Sequence, residues 1–154
     1  MKKIILTLFI LIFGLSAFAG EQEDALAFFN NFVSASNSYS PTILMMYSDN
    51  AKITRQVVKP NGQLVNVAFP LSTYKSQIKL SGKLAKLRNY KNYYSNIKVS
   101  KVANGYKIES LRKPSSSDYK LKSFVVVQKQ PSGNWLIVEE LMQTKEQVFL
   151  KYAK

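Results

Sequence analysis

With no histidine and no cysteine in 154 residues, the chain excludes histidine acid–base chemistry, Ser-His and Cys-His nucleophile machinery, disulfides and the ordinary zinc sites. Any catalysis must use carboxylates, lysine, tyrosine or arginine; no catalytic residue, metal or cofactor is singled out. The 22 basic residues against 9 acidic ones give a formal charge of +13, which favours anionic partners, and the length suits one domain that packs its own core.

Residues 1–19 read MKKIILTLFILIFGLSAFA, in which Lys2 and Lys3 precede an apolar run from Ile4 to Leu15. That run is shorter than the roughly 20 residues a spanning helix needs, and Ala17 and Ala19 suit a signal peptidase. A signal peptide cleaved near Ala19 is therefore expected, leaving residues 20–154 as a periplasmic or secreted single domain. Glu21, Glu23 and Asp24 then place negative charge at a helix start, and Ala25, Leu26, Phe28, Phe29, Phe32 and Val33 share one face of a helix ending near Asn37. Ser40-Pro41 caps and opens a short second helix through Met46, whose Leu44, Met45 and Met46 read as core. From Ala51 the period becomes two: residues 51–58 and 63–69 are strands joined by a Lys59-Pro60-Asn61-Gly62 turn. A third helix spans Pro70 to Ser81, with Leu71, Tyr74 and Ile78 opposite Lys75 and Lys79, and Gly82 as its stop. Four strands follow at 93–102, 105–111, 119–129 and 135–143, and a Thr144/Gln147 capping box opens a short helical tail from about residue 145. The order gives an α+β fold with a mostly antiparallel sheet.

Between Asn50 and Ile108 the chain has no acid but many lysines, among them Lys52, Lys75, Lys79, Lys83, Lys86 and Lys98. Such a surface either is simply solvated or meets an anionic envelope surface. The scarcity of arginine, together with export, argues against nucleic acid, and strand-favouring tyrosines account for Tyr90-Lys91-Asn92-Tyr93-Tyr94.

The element order, with LMMYSDNAKI at 44–53 and GNWLIVEELM at 133–142, resembles the nuclear transport factor 2-like superfamily, which includes ketosteroid isomerases and SnoaL-like cyclases. The resemblance implies a cystatin-like cone: a curved, mixed, mostly antiparallel sheet wrapped around N-terminal helices, enclosing an apolar cavity and often dimerising through the sheet. It also implies that the isomerases' three catalytic positions have changed. Arg55 stands at the general-base aspartate, Val125 at the oxyanion-donor aspartate, and Asn31 near the tyrosine of the first helix. An arginine cannot abstract a proton at ordinary pH, and a valine donates no hydrogen bond.

The adjacent acids Glu139 and Glu140 must face opposite ways on a strand. Pairing Gln130 with Trp135 sets Val127 opposite Val138 and Val125 opposite Glu140, which turns Val125, Val127, Val138, Glu140 and Met142 inward. Glu139, Trp135, Ile137 and Leu141 then lie outside as a candidate homodimer face, and a slip of one residue would exchange the two sets. With Phe32 and Tyr47, the cavity candidates for ligand binding are Arg55, Val125, Val127, Val138, Glu140 and Met142. Arg55 and Glu140 form a buried ion pair, or Arg55 binds an anionic ligand that Glu140 orients, or Glu140 is a base, against which a nearby Arg55 stands. The leading expectation is an exported non-catalytic binding or interaction module for a small apolar or anionic ligand. A carboxylate-dependent lyase or isomerase is the alternative, and a structural subunit of an envelope or secretion assembly the second.

Overall fold

The computed structural model describes residues 2–153, with side chains from Gly20 to Ala153, so the side chains of residues 1–19, on which the expected cleavage falls, lie outside the described residues. Helix α1 (Lys2–Asn37) is followed by a 3-10 helix (Pro41–Met45), strands β1 (Tyr47–Val58) and β2 (Leu64–Phe69), and helix α2 (Leu71–Leu87). Strands β3 (Asn92–Val102), β4 (Gly105–Pro114), β5 (Leu121–Lys129) and β6 (Trp135–Thr144) come next, then a terminal 3-10 helix (Gln147–Tyr152). Among the described residues no helix is long and apolar enough to cross a membrane.

The six strands form one mixed sheet in the order β2-β1-β6-β5-β4-β3. Every neighbouring pair is antiparallel except the second in that order, where β1 runs parallel to β6. Alternation along the strands turns one face onto α1, whose Ala25, Phe29 and Phe32 recur at helical spacing and are buried. They pack with Ile53, Val57, Val67, Ile108, Val125, Val127 and Ile137 from the sheet, an arrangement consistent with a cone.

The two long helices end alike. Tyr39 and Asn89 take left-handed φ values of 59° and 46°, and the following amides bond back, Ser40 to the Ala35 carbonyl and Tyr90 to that of Ala85. This is a Schellman closure made without glycine, tolerable for asparagine and costlier for tyrosine. The Tyr39 hydroxyl donates to the Tyr90 carbonyl at 2.7 Å, which ties the two helix ends together.

Four expectations are corrected. Met45, expected in the core, is 71% exposed, because the short 3-10 helix turns it to solvent. Gly82 does not stop α2, which continues to Leu87. One glycine costs a helix only about 1 kcal/mol, and Lys83, Leu84, Ala85, Lys86 and Leu87 are strong helix formers, so the stop falls at Asn89. The tail has no capping box: Glu146 is the cap residue and makes no side-chain cap bond, while Thr144 accepts from the Glu146 amide and Gln147 donates to the Val58 carbonyl. The β5–β6 hairpin pairs Lys129 with Trp135 and Val127 with Ile137, and then Val126 with Glu139. Val138 is the extra residue of a bulge, so it does not oppose Val127. Below that bulge Ile137 is fully buried and Trp135 packs on Tyr106 with ring centres 6.0 Å apart, so neither belongs to the outer face.

Candidate functional site

Beyond the bulge, alternation restores Glu140 to the inner face, where it is 1% exposed. Strand β1 lies beside it in parallel, with Ile53 level with Glu140 and Arg55 level with Met142. Arg55 therefore reaches back diagonally, and its Nη1 donates to Glu140 Oε1 at 2.7 Å. Tyr47, at the start of β1, donates its hydroxyl to Glu140 Oε2. Tyr74 descends from α2 to donate to Oε1 at 3.2 Å, its oxygen also 3.2 Å from that of Tyr47. The Arg55 guanidinium lies 4.8 Å from the centre of the Tyr74 ring, a cation–π geometry.

Burial pushes the Tyr47 phenol well above its usual value, and the charge of Glu140 adds to the effect. Tyr74 is pushed up to about 12 by the same two causes, with Arg55 pulling the other way. Burial opposes the charge on Arg55, but Glu140 and the phenols outweigh it and hold the guanidinium above its usual range. Both phenols are thus fixed as donors, and the acid accepts from three sides. Such a network holds strands and helix in register. It does not suit a general base, which needs an apolar pocket without a nearby cation.

In front of this network opens a cavity of about 610 Å³, bounded by the end of α1, the first 3-10 helix, α2 and the inner face of the sheet. Phe32, Ile43, Leu44, Ile78, Met142 and Phe149 supply its apolar wall. Arg55 and Arg112 reach it from the sheet, Lys79, Lys83 and Lys86 from α2, and no acid is among its lining residues. Arg112 is 5% exposed. Its Nη1 donates to Asn92 Oδ1 at 2.7 Å and its Nη2 to the Gln143 carbonyl at 2.9 Å, while Nε is buried without a partner among the described residues. Asn92 is itself clamped: the Asn37 side chain, at the end of α1, donates to its carbonyl and accepts from its amide, both at 2.9 Å. Beside Arg112, burial raises the Tyr94 phenol well above its ordinary value, against the pull of the arginine.

Of the residues singled out from sequence, Phe32, Arg55 and Met142 line the cavity, and Tyr47 and Glu140 stand behind it in the network. Val125 sits with Phe32, Glu140 and Met142 around a separate crevice of about 10 Å³. Val127 is core, and half-buried Val138 occupies the bulge. Asn31, where the resemblance implies a tyrosine, is exposed, and the phenols come from β1 and α2 instead. Sequence reasoning missed Tyr74 as a donor and Arg112 altogether. Alternation through Tyr106, Ile108 and Ser110 leads to an inward Arg112, but that strand was expected to end at Leu111, one residue short.

No protein-family model and no curated protein matches the chain. Solved structures do. An NTF2-like protein with a cystatin-like fold from Novosphingobium aromaticivorans superposes with a TM-score of 0.62 at 7% identity, covering 88% of each chain. An NTF2-like protein of unknown function from Pseudomonas putida gives 0.58 at 14% identity, covering 80% of this chain and 84% of that one. A ketosteroid isomerase-like protein from Shewanella frigidimarina gives 0.55 at 17%, covering 76% and 92%. At such identities the likeness carries architecture alone. Helices packed in an open mixed sheet, and the neighbours that share this arrangement, establish that the chain has the nuclear transport factor 2-like fold.

Proposed function

We propose that this chain is an exported, non-catalytic binding module that holds a small molecule with an apolar body in the cavity between α1, α2 and the sheet. The observation that carries the reading is the cavity itself: about 610 Å³, within the range of small-molecule sites, with an apolar wall. The closed bonding of Glu140 to Arg55, Tyr47 and Tyr74 supports binding over lyase or isomerase chemistry. The test uses the neutral dye N-phenylnaphthylamine. Saturable fluorescence enhancement at one dye per chain, lost when Ala35 in the cavity wall becomes tryptophan, is expected. No enhancement with the folded protein rejects the reading.

Export rests on the Lys-Lys, apolar, small-residue order of residues 1–19, and intact mass of protein recovered from the periplasm checks it. A periplasmic species that retains Met1 counts against cleavage. The proposal includes a homodimer through the outer sheet face, supported by half-buried Phe124, Val126 and Leu141 rather than by Trp135 and Ile137. A monomer in sedimentation at high micromolar concentration removes that part. A contact with anionic envelope lipids is supported by α2, which exposes Leu80, Leu84 and Leu87 beside Lys79, Lys83 and Lys86 and contains no acid. Absence of co-sedimentation with phosphatidylglycerol vesicles removes it.

A further inference from the structure

We infer that Arg112 is an anion-binding group, and that the cavity's ligand is an amphiphile whose oxyacid head, a carboxylate or a phosphate, meets this guanidinium while its tail lies along the apolar wall. This rests on the cavity reading above and names the ligand class for it.

A buried charge is ordinarily met by a counter-charge. The fold supplies one to Arg55 and none to Arg112: the ion pairs among the described residues are Arg55 with Glu140 and Lys107 with Glu109. The neighbours of Arg112 are a side-chain amide and a backbone carbonyl, both neutral, and its Nε bonds to nothing described. Nor can it relax to solvent. Asn92 pins Nη1 and is held in turn by two bonds with Asn37, one in each direction, so α1, β3 and β4 together fix the guanidinium at the cavity wall. A protein that keeps an unneutralised cation rigid at a cavity wall sacrifices stability there, as binding sites do. The surrounding field points the same way, because every charged residue lining the cavity is basic. Phe32, Ile78, Met142 and Phe149, which line the same cavity, offer an apolar wall for a chain. An arginine fork matches carboxylate and phosphate oxygens alike, so head chemistry is specified and its biological source is left to the ligand panel.

The experiment displaces N-phenylnaphthylamine with dodecanoate, dodecyl phosphate and dodecanol, each below its aggregation concentration. Wild type should favour at least one of the two acids over the alcohol by about tenfold or more, a ratio equivalent to about 1.4 kcal/mol. Whichever acid is preferred identifies the head. Arg112→Met should still bind the dye and the alcohol with that ratio collapsed towards one, and its melting temperature without ligand should equal or exceed that of wild type. Arg112→Lys should retain part of the preference, which covers the case in which the methionine variant does not fold. If dye binds but neither acid is preferred by wild type, the Arg112 assignment is overturned and the cavity reading stands. If neither dye nor amphiphile binds, both fall. An Arg112→Met chain that is less stable yet keeps its acid preference also overturns the assignment, since the arginine would then be structural.

Discussion

Breaking the Arg55–Glu140 pair one partner at a time should cost far more than removing both. Glu140→Gln keeps an acceptor for the Tyr47 and Tyr74 hydroxyls but strands a buried cation, for which a loss of about 3–5 kcal/mol is expected. Arg55→Met strands the carboxylate instead. Two phenols still donate to it, and charge-assisted bonds contribute about 1.5–3 kcal/mol each, so the loss should fall near the low end of the same range, about 3 kcal/mol. The double variant carries no stranded charge, keeps the amide oxygen as an acceptor for the phenols and fills the arginine stem with a methionine of similar length, which limits its loss to about 1–2 kcal/mol. Singles that sum to at least about 6 kcal/mol against a double of at most about 2 give a coupling of at least about 4 kcal/mol, well beyond the roughly 0.5 kcal/mol scatter of independent sites. Urea unfolding followed by the fluorescence of Trp135, the chain's one tryptophan, measures all four corners of the cycle. Losses that merely add would refute the ion pair and the inward placement of Glu140 with it.

Alkaline pH should unfold the protein through its buried phenols. Their folded pKa values are raised above the unfolded value, so their contribution is complete below about pH 10 and is lost at higher pH, for Tyr74 as pH climbs towards about 12. The expected slope is about 1.4 kcal/mol per pH unit for each phenol kept protonated, and tyrosinate absorbance should appear in step with loss of fold rather than before it. Gly82→Ala should stabilise α2 by about 1 kcal/mol, because a Cβ there meets open space. Gly105→Ala should destabilise by at least about 1–3 kcal/mol, because φ is 152° and a Cβ would stand 2.1 Å from the Val127 carbonyl oxygen. Thermal melts of the two variants check both signs. Asn89→Ala should cost about 1 kcal/mol by penalising the left-handed closure of α2, whereas Asn89→Gly should not.

Strand existence was legible because alternation is local: the inward rows of β1 and β4 read directly as Ala51, Ile53, Arg55 and Val57, and as Tyr106, Ile108 and Ser110. The inward face of Glu140 followed from the same rule applied to the far half of β6. The near half misled, since a bulge inserts one residue and reverses every side chain before it, and no residue between Trp135 and Glu140 advertises the insertion. The end of α2 was misplaced because glycine's helix penalty is small beside the propensity of the five residues after Gly82. The cavity was anticipated only through the family resemblance. Arg112 belongs to a partnership with Asn92 and Asn37 that spans three elements, and contacts of that range leave no periodic trace in one sequence.

The parallel ladder between β1 and β6 has a consequence for the order in which the molecule can form. Strands β3 to β6 make a meander of near neighbours, and β1 with β2 makes a hairpin, so both pieces close over short loops. Only the β1–β6 ladder joins them within the sheet, and it unites the first strand with the last. A chain that emerges N-terminus first must therefore wait with β1 lacking one neighbour until Thr144 has appeared, and β5 waits as an open edge until β6 covers it. The long-range step that ends this exposure is also the one that brings Arg55 to Glu140. Before that step the two charges stand in water and cost nothing; after it, neither can leave alone. The ion pair thus acts late, as a lock on the docking of hairpin and meander, and a chain truncated before β6 would present two further unpaired strand edges, those of β1 and β5, to its neighbours.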